Sequence, residues 1–235
     1  MNEGKPGALH LVATPIGNLG DITFRAVELL KSVDVVAAED TRRTRILLDH
    51  YDIKAKKLVS YHSHNLERRT RKLIQEMTGG ASVALVSDAG TPSVSDPGAV
   101  LVKEAVEAGI TIIPVPGATA PVLAMAASGF PSHSFIYEGF LPRKKGRKKI
   151  FESWKEEKRS IIFFESPQRV VKTLREIGLI VGKRKVCIAR EITKKFEEFL
   201  RGDIDDVMEN LEKREKVKGE ITIVIAPCGW ETEKD

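Results

Sequence analysis

Apolar residues along this chain fall into short runs separated by amphipathic stretches, and in the first half the two alternate regularly. Residues 9–14 form an apolar run of strand length, and 23–32 carry a helical spacing that turns Phe24, Val27, Leu29 and Leu30 inward. Further strands are predicted at 33–38, 57–61, 82–87 and 111–115, with helices at 44–51, 66–77 and 99–108 between them. Gly79-Gly80 closes the helix at 66–77, and Gly109 the one at 99–108, because glycine readily takes the left-handed turn past a helix end. Such a succession predicts a mostly parallel sheet covered by helices.

Beyond Gly117 the rhythm changes. Residues 118–127 read as an apolar helix and 134–140 as a strand. A helix near 148–157, a strand at 160–164 and a helix at 170–177 behind Pro167 follow. Residues 185–191 and 197–201 form a hairpin pair, 204–213 a helix capped by Asp203, and 220–226 a final strand with β-branched alternation. Neighbouring strands without an intervening helix predict a mixed sheet. The expected fold is α/β in two domains: residues 1–117 around a mostly parallel sheet and 118–235 around a mixed one.

Composition narrows the class. None of the apolar runs in the 235 residues approaches the roughly 20 residues that span a bilayer. Residues 1–7, MNEGKPG, lack the basic and apolar regions of a secretory signal. The two cysteines, Cys187 and Cys228, lie in apolar runs and read as buried thiols. A cytoplasmic protein with no membrane partner and no metal is expected. The net charge of +5 is modest, but it is clustered. Residues 143–149 read RKKGRKK, and Arg42-Arg43-Thr44-Arg45 and Arg68-Arg69-Thr70-Arg71-Lys72 add two more clusters. A basic face attracts a polyanion such as RNA; for any one cluster taken alone, a solvated surface is the better account. Arg143, Lys144, Lys145, Arg147 and Lys148 are harder to read that way, because so dense a block repels itself.

The chemistry lies in the strand-to-helix turns. The first, Thr14-Pro15-Ile16-Gly17-Asn18-Leu19-Gly20-Asp21, is neither a dinucleotide fingerprint nor a P-loop, so a ligand held there need carry no phosphate. Residues 84–98, ALVSDAGTPSVSDPG, join a strand to a helix through small residues and two carboxylates. Asp88, at the strand end, is placed to accept bonds from a ribose or an amine, or to cap its own turn. Asp96 reads as a helix N-cap with Pro97 at the first helical position. The third turn, 114–120, offers Gly117 for close approach and the Thr119 hydroxyl. Three such turns ending parallel strands imply one crevice. On the same side lie Glu39-Asp40-Thr41-Arg42-Arg43 and Tyr61-His62-Ser63-His64-Asn65. His62 and His64 do not fill a metal site; with Arg42, Arg43 and Asn65 they suit the rim of an RNA-binding mouth.

These segments in this order resemble the tetrapyrrole methylase family. The likeness is carried by ATPIGNLGDIT (13–23), AAEDTRRT (37–44), SHN (63–65), ALVSDAGTPSVSDPG (84–98), VPGATA (115–120) and EGFLP (138–142), with FFESPQR (163–169), AREITKKFEE (189–198) and KGEITIVI (218–225). It covers nearly the whole chain. Within the family the set looks like the members that methylate the ribose 2′-oxygen of a cytidine in the decoding region of 16S rRNA. The resemblance implies two α/β domains of the tetrapyrrole methylase type, S-adenosylmethionine as cofactor, 16S rRNA or the small ribosomal subunit as partner, and a homodimer. It carries cofactor contacts to Pro15, Asp88, Gly90, Thr91, Thr119, Ala120 and Phe164. Under it, Asp40, His64 and Glu67 are candidates for the base that removes the hydroxyl proton, and Glu39 for positioning the ribose. Relatives often continue past the last strand; this sequence ends at Asp235, so RNA binding is expected to do without that segment. The third loop departs from the His-Asn-Glu of relatives, with Leu66 between Asn65 and Glu67.

Two other functions compete with this one. A methylase of the same fold acting on a porphyrin or corrin ring needs less positive field than the basic clusters supply. A non-catalytic RNA-binding protein on the same scaffold would gain no stability from the cofactor.

Overall fold

A computed structural model describes residues 7–230, so the predicted absence of a signal in residues 1–7 lies almost wholly outside the described residues. The chain divides into two compact units between Thr119 and Ala120.

The first unit is built on five strands: β1 (Ala8–Val12), β2 (Val35–Ala38), β3 (Leu58–Ser60), β4 (Val83–Val86) and β5 (Thr111–Val115). They pair in the order β3-β2-β4-β1-β5, every pairing parallel. The helices are α1 (Phe24–Ser32), α2 (Thr41–His50), α3 (Leu66–Thr78) and α4 (Gly98–Glu107). Central strands covered on both faces must be apolar throughout, and VVAA of β2 and VALV of β4 are wholly buried. Ala26 and Leu30 of α1 and Leu48 of α2 pack with Val12, Val36 and Val86 on one face. Leu73 and Met77 of α3 and Leu101 and Ala105 of α4 pack with Leu9, Val35 and Leu85 on the other. Right-handed crossovers produce this division, since β1→β2 and β2→β3 run one way along the sheet and β3→β4 and β4→β5 the other. The connection after β4 therefore leaves on the opposite face from those after its neighbours β1 and β2. In an open α/β sheet a crevice forms at such a point.

Phe24 is not inward: it is 94% exposed. Thr23 caps α1 through Ala26 N, and the buried stripe is Ala26 and Leu30, four residues apart; Phe24 sits about 200° around the helix from Ala26. Asp96 is not the N-cap it was expected to be: Pro97 holds the cap position, and α4 begins at Gly98. The Asp96 Oδ1 accepts from Gly98 N at 2.7 Å and Ser93 N at 2.9 Å.

The second unit holds β6 (Phe135–Phe140), β7 (Ser160–Glu165), β8 (Lys185–Arg190), β9 (Glu198–Asp203) and β10 (Ile221–Ile225) in the order β6-β7-β10-β8-β9. Only β6 and β7 pair in parallel, which makes the sheet mixed as expected. Its helices are α5 (Ala120–Ser128), α6 (Arg147–Ser153), α7 (Val170–Val181) and α8 (Ile204–Glu212). Phe151, Leu174, Ile177 and Leu211 from α6, α7 and α8 bury one face of the sheet together with Trp154. The apolar α5 lies against β10 and β8.

At three helix ends the difference from expectation has a visible cause. The helix α6 stops at Ser153 because Trp154 turns into the core, its Nε1 donating to Glu138 at 3.2 Å. The helix α7 passes through Gly178 and ends at Gly182, where φ is +91°. Asp203 stands at the N-cap of α8 but does not bond to it; its carboxylate pairs with Lys185 at 2.9 Å. Cys187 is buried, with its thiol pushed up to about 11 by burial, and Cys228 is half-buried. Among the described residues no helix is long and apolar enough to cross a membrane.

Candidate functional site

In the first unit the three turns are stitched together at the carboxyl ends of β1, β4 and β5. Thr14 and Gly90 exchange backbone hydrogen bonds of 2.9 and 3.0 Å, and Ala13 N donates to Val115 O. The buried Thr14 hydroxyl donates to Ser87 O at 3.1 Å, and Ser87 Oγ to Gly90 O at 2.9 Å. Thr91 Oγ1 donates to Ala118 O. Gly117 is required by this closeness, since a Cβ there would lie 2.8 Å from Ala13 Cβ. Gly90, at φ +85°, occupies a conformation few other residues take.

The loop 87–97 is also strained. Ser93 and Ser95 adopt φ of +72° and +68°, conformations that cost a non-glycine residue on the order of 1 kcal/mol or more and concentrate at ligand sites. Asp96 holds this arch from inside. Its Oδ2 and the Ser93 hydroxyl are buried without a hydrogen-bond partner among the described residues.

Asp88 ties the arch to the β2–α2 loop. Its Oδ1 accepts from Asp40 N at 2.9 Å, its Oδ2 pairs with Arg43 at 3.3 Å, and its own N–H donates to the Glu39 carboxylate. Capping its own turn is therefore not its role. Burial, then the negative charges of Asp88 and Asp96, push the Glu39 carboxyl up from its ordinary value. Asp40 is the N-cap of α2 and accepts from Arg42 N. Its bonds from the Arg42 guanidinium, 3.1 and 2.7 Å, hold its carboxyl far below the usual range. So placed, Asp40 is a poor proton acceptor, contrary to expectation.

The β3–α3 loop rests on Tyr61, whose buried hydroxyl meets Thr70 Oγ1 at 3.0 Å. Asn65 Oδ1 accepts from His62 N, and its Nδ2 donates to Ser60 O. Both ends of this amide are spent on the loop, so Asn65 is not a free contact for RNA. The rings of His62 and the exposed His64 are 5.9 Å apart, edge to face. Glu67 is exposed and paired with Arg71 on its own helix, which does not suit a buried base. Arg42 and Arg43 keep most of their side chains in solvent despite their ion pairs. Pro15 and Thr119 lie half-buried on the first and third turns.

In the second unit, Ala120 opens α5, and Phe164 lies half-buried on β7 with Tyr137 and Phe140 at ring distances of 5.6 and 5.1 Å. Arg143, Lys144, Lys145 and Lys148 are exposed. Arg147 is not: it is 8% exposed. Its guanidinium bonds Glu176 at 2.7 Å and Thr173 Oγ1 at 2.6 Å, and lies 3.6 Å from the fully buried Glu165. Arg169 pairs with Glu165 at 2.6 Å. Arg147 belongs to the core of its unit, which corrects its placement in an RNA-facing patch. The expected self-repulsion of the basic run is relieved because one member points inward to two carboxylates. An acid at the end of an apolar strand, Glu165 after SIIFF, was the sequence signal for this network.

The profile of the family described as Tetrapyrrole (Corrin/Porphyrin) Methylases matches residues 8–234. The chain belongs to the tetrapyrrole methylase family. As a member it is a methyltransferase that uses S-adenosylmethionine. It is 50% identical to a protein of Halalkalibacterium halodurans named ribosomal RNA small subunit methyltransferase I, over 97% of this chain and 79% of that protein. A protein of the same name from Thermotoga maritima is also 50% identical, over 94% of this chain and 98% of its own length. Solved structures share the fold at low identity. Cobalt precorrin-4 methyltransferase superposes with a TM-score of 0.67 at 20% identity, covering 93% of this chain and 94% of that one. A uroporphyrin-III C-methyl transferase from Thermus thermophilus, complexed with S-adenyl homocysteine, gives 0.63 at 20%, covering 93% and 97%.

The mouth of the first unit fits the cofactor of the tetrapyrrole methylases. That molecule carries positive charge and ribose hydroxyls and no phosphate. The turns accordingly present carboxylates at Asp88 and Glu39, small residues at Gly90, Thr91 and Thr119, and no phosphate cradle.

Proposed function

We propose that this chain methylates the ribose 2′-oxygen of a cytidine in the decoding region of 16S rRNA. The observation that carries the reading is the 50% identity, over nearly the whole chain, to relatives named for small-subunit ribosomal RNA. The exposed Arg42, Arg43, Lys144 and Lys145 support a polyanionic substrate.

S-adenosylmethionine, when bound, supplies a methyl group already activated on a sulfonium. The protein's own task is to bind, align and handle one proton. Asp88, Gly90, Thr91, Pro15 and Thr119 hold the cofactor in this reading; Ala120 and Phe164 join them on the family likeness alone. Alignment of two bound reactants lowers a barrier by on the order of 7–11 kcal/mol. Proton removal adds about 10²–10⁴-fold. Asp40 and Glu67 are engaged by Arg42 and Arg71. His64 keeps the role of base, and the raised Glu39 is the carboxylate suited to accepting a hydroxyl hydrogen bond. The RNA rim is Arg42, Arg43 and His62 in the first unit and Arg143, Lys144, Lys145 and Lys148 in the second. The active species in this reading is a homodimer in the cytoplasm.

The test offers labelled S-adenosylmethionine together with small-subunit particles, free 16S rRNA or a tetrapyrrole. Label is expected in RNA. Label in the tetrapyrrole alone would establish a ring methylase of the same fold, and no transfer with no cofactor binding would leave a scaffold that only binds RNA.

A further inference from the structure

A second cluster of cations lies outside the site described above, wholly within the second unit. The turn joining β8 to β9 and the segment leading from α8 to β10 enclose a groove of about 310 Å³. It is lined by Arg190, Phe196, Arg214, Lys216, Val217 and Lys218, among others.

The walls of this groove are fixed. Glu198 accepts from Arg190 at 2.8 Å and from Arg214 at 2.8 and 2.6 Å. Lys194 is held by Glu191 at 2.9 Å and Glu220 at 3.1 Å. Glu191 and Thr193 adopt φ of +52° and +67°. Gly219, at φ +96°, closes onto Glu191, where a Cβ would come within 2.5 Å of Cγ. A turn with two strained residues persists only when its surroundings over-determine it.

The residues left over are informative. Each of these carboxylates is taken by a cation or a backbone N–H within the groove. Among the described residues, the ammonium groups of Lys216 and Lys218 carry no ion pair, and both side chains are exposed. Phe196 is 65% exposed, with Lys195 Nζ 5.7 Å from its ring centroid. An exposed aromatic ring beside unpaired cations on a rigid frame is the combination that holds a nucleotide outside a duplex, the base stacking while the cations take the phosphate.

We propose that this groove binds an unpaired stretch of RNA, with a base stacked on Phe196 and the adjoining phosphates on Lys216 and Lys218. The proposal rests on the RNA reading above and adds a contact site to it. An acidic peptide would use the lysines and have no need of the exposed ring.

Anisotropy of a short, unstructured, labelled oligoribonucleotide with the full chain, across a range of salt, tests this. Phe196→Ala should weaken binding roughly 5- to 150-fold while Phe196→Trp retains it. Lys216→Ala with Lys218→Ala should reduce the slope of log affinity against log salt by about 1.4, or 0.7 for each phosphate no longer neutralised. Cofactor affinity by calorimetry and thermal unfolding should stay unchanged in all three, since the altered side chains are exposed. Unchanged affinity and slope would overturn the proposal. So would an oligoglutamate peptide that competes equally well and is indifferent to Phe196. Methyl transfer to small-subunit RNA by the unaltered chain, run in parallel, separates the two claims. If it occurs while the variants bind RNA normally, only the groove fails; if it is absent while binding depends on Phe196, the groove stands and the methylation reading fails.

Discussion

Arg147 is flanked by lysines that face solvent, yet its own guanidinium is buried against Glu165 and Glu176. Removing one member of a buried ion pair leaves the other charge stranded, at about 3–5 kcal/mol. Arg147→Ala should therefore cost the second unit about 3 kcal/mol, since Arg169 still pairs with Glu165. Both tryptophans, Trp154 and Trp230, lie in that unit, so urea unfolding followed by their fluorescence reports it. Neutralising Lys144, Lys145 and Lys148 should leave that transition in place and flatten the salt dependence of RNA binding. Glu198 gives a pH signature. The hydrogen bonds from Arg214, joined by those from Arg190, hold its carboxyl down at about 2 against an ordinary 4.5. A depressed carboxyl stabilises the fold above its unfolded value and loses that contribution as pH falls toward the folded one. The unaltered chain should lose on the order of 2 kcal/mol between pH 4.5 and 2 that Glu198→Gln does not lose. At the mouth of the first unit, Asp88→Ala should weaken cofactor binding by roughly 10- to 100-fold, the worth of a hydrogen bond to a charged group. Asp88→Asn keeps an oxygen for Asp40 N and separates the loss of charge from the loosening of α2; calorimetry of both variants reads the difference. Full cofactor affinity in Asp88→Ala would remove Asp88 from the site.

At the scale of elements, the strand-to-helix alternation of the first half was legible because the central strands β2 and β4 are apolar on both faces and each helix on one stripe. Residues 111–115 were bounded correctly, as Gly109 stops α4 and Pro116-Gly117 stops β5. Phe24 was misplaced because the pattern counts apolar residues and not the angle at which a capped helix begins. The convergence of the three turns was legible from their position after parallel strands. Their stitching was not, because the bonds from Thr14 to Ser87 and Gly90 link residues more than 70 positions apart. Nor was the loss of Asn65 and Asp40 to structural duty, since a polar side chain in a loop looks the same in sequence whether it faces ligand or backbone. Gly117→Ala tests the stitching. The added methyl would force Ala13 and the third turn apart, costing about 1–3 kcal/mol as overpacking does. Cofactor affinity should fall with it, and an unchanged melting temperature and affinity would show that the turns do not need this approach.

For the molecule as a whole, the family profile spans nearly all described residues, so both units belong to one methylase. The two ring methylases that share the fold do so at only about 20% identity, whereas the relatives at 50% carry a ribosomal RNA name. The proposed RNA reading places substrate choice in side chains on a shared scaffold, with the exposed Arg42, Arg43, Lys144 and Lys145 as its proposed RNA contacts. Binding of S-adenosylmethionine to the folded state should raise its stability by about 2.7 kcal/mol at one hundred times the Kd, seen as an upward thermal shift that a tetrapyrrole alone does not produce. The most direct measurement is to react small-subunit particles and free 16S rRNA with labelled S-adenosylmethionine, digest the RNA and identify the labelled nucleoside. The account predicts a single 2′-O-methylcytidine from the decoding region. Label on a base, on another nucleoside, or on a tetrapyrrole in place of RNA would contradict it.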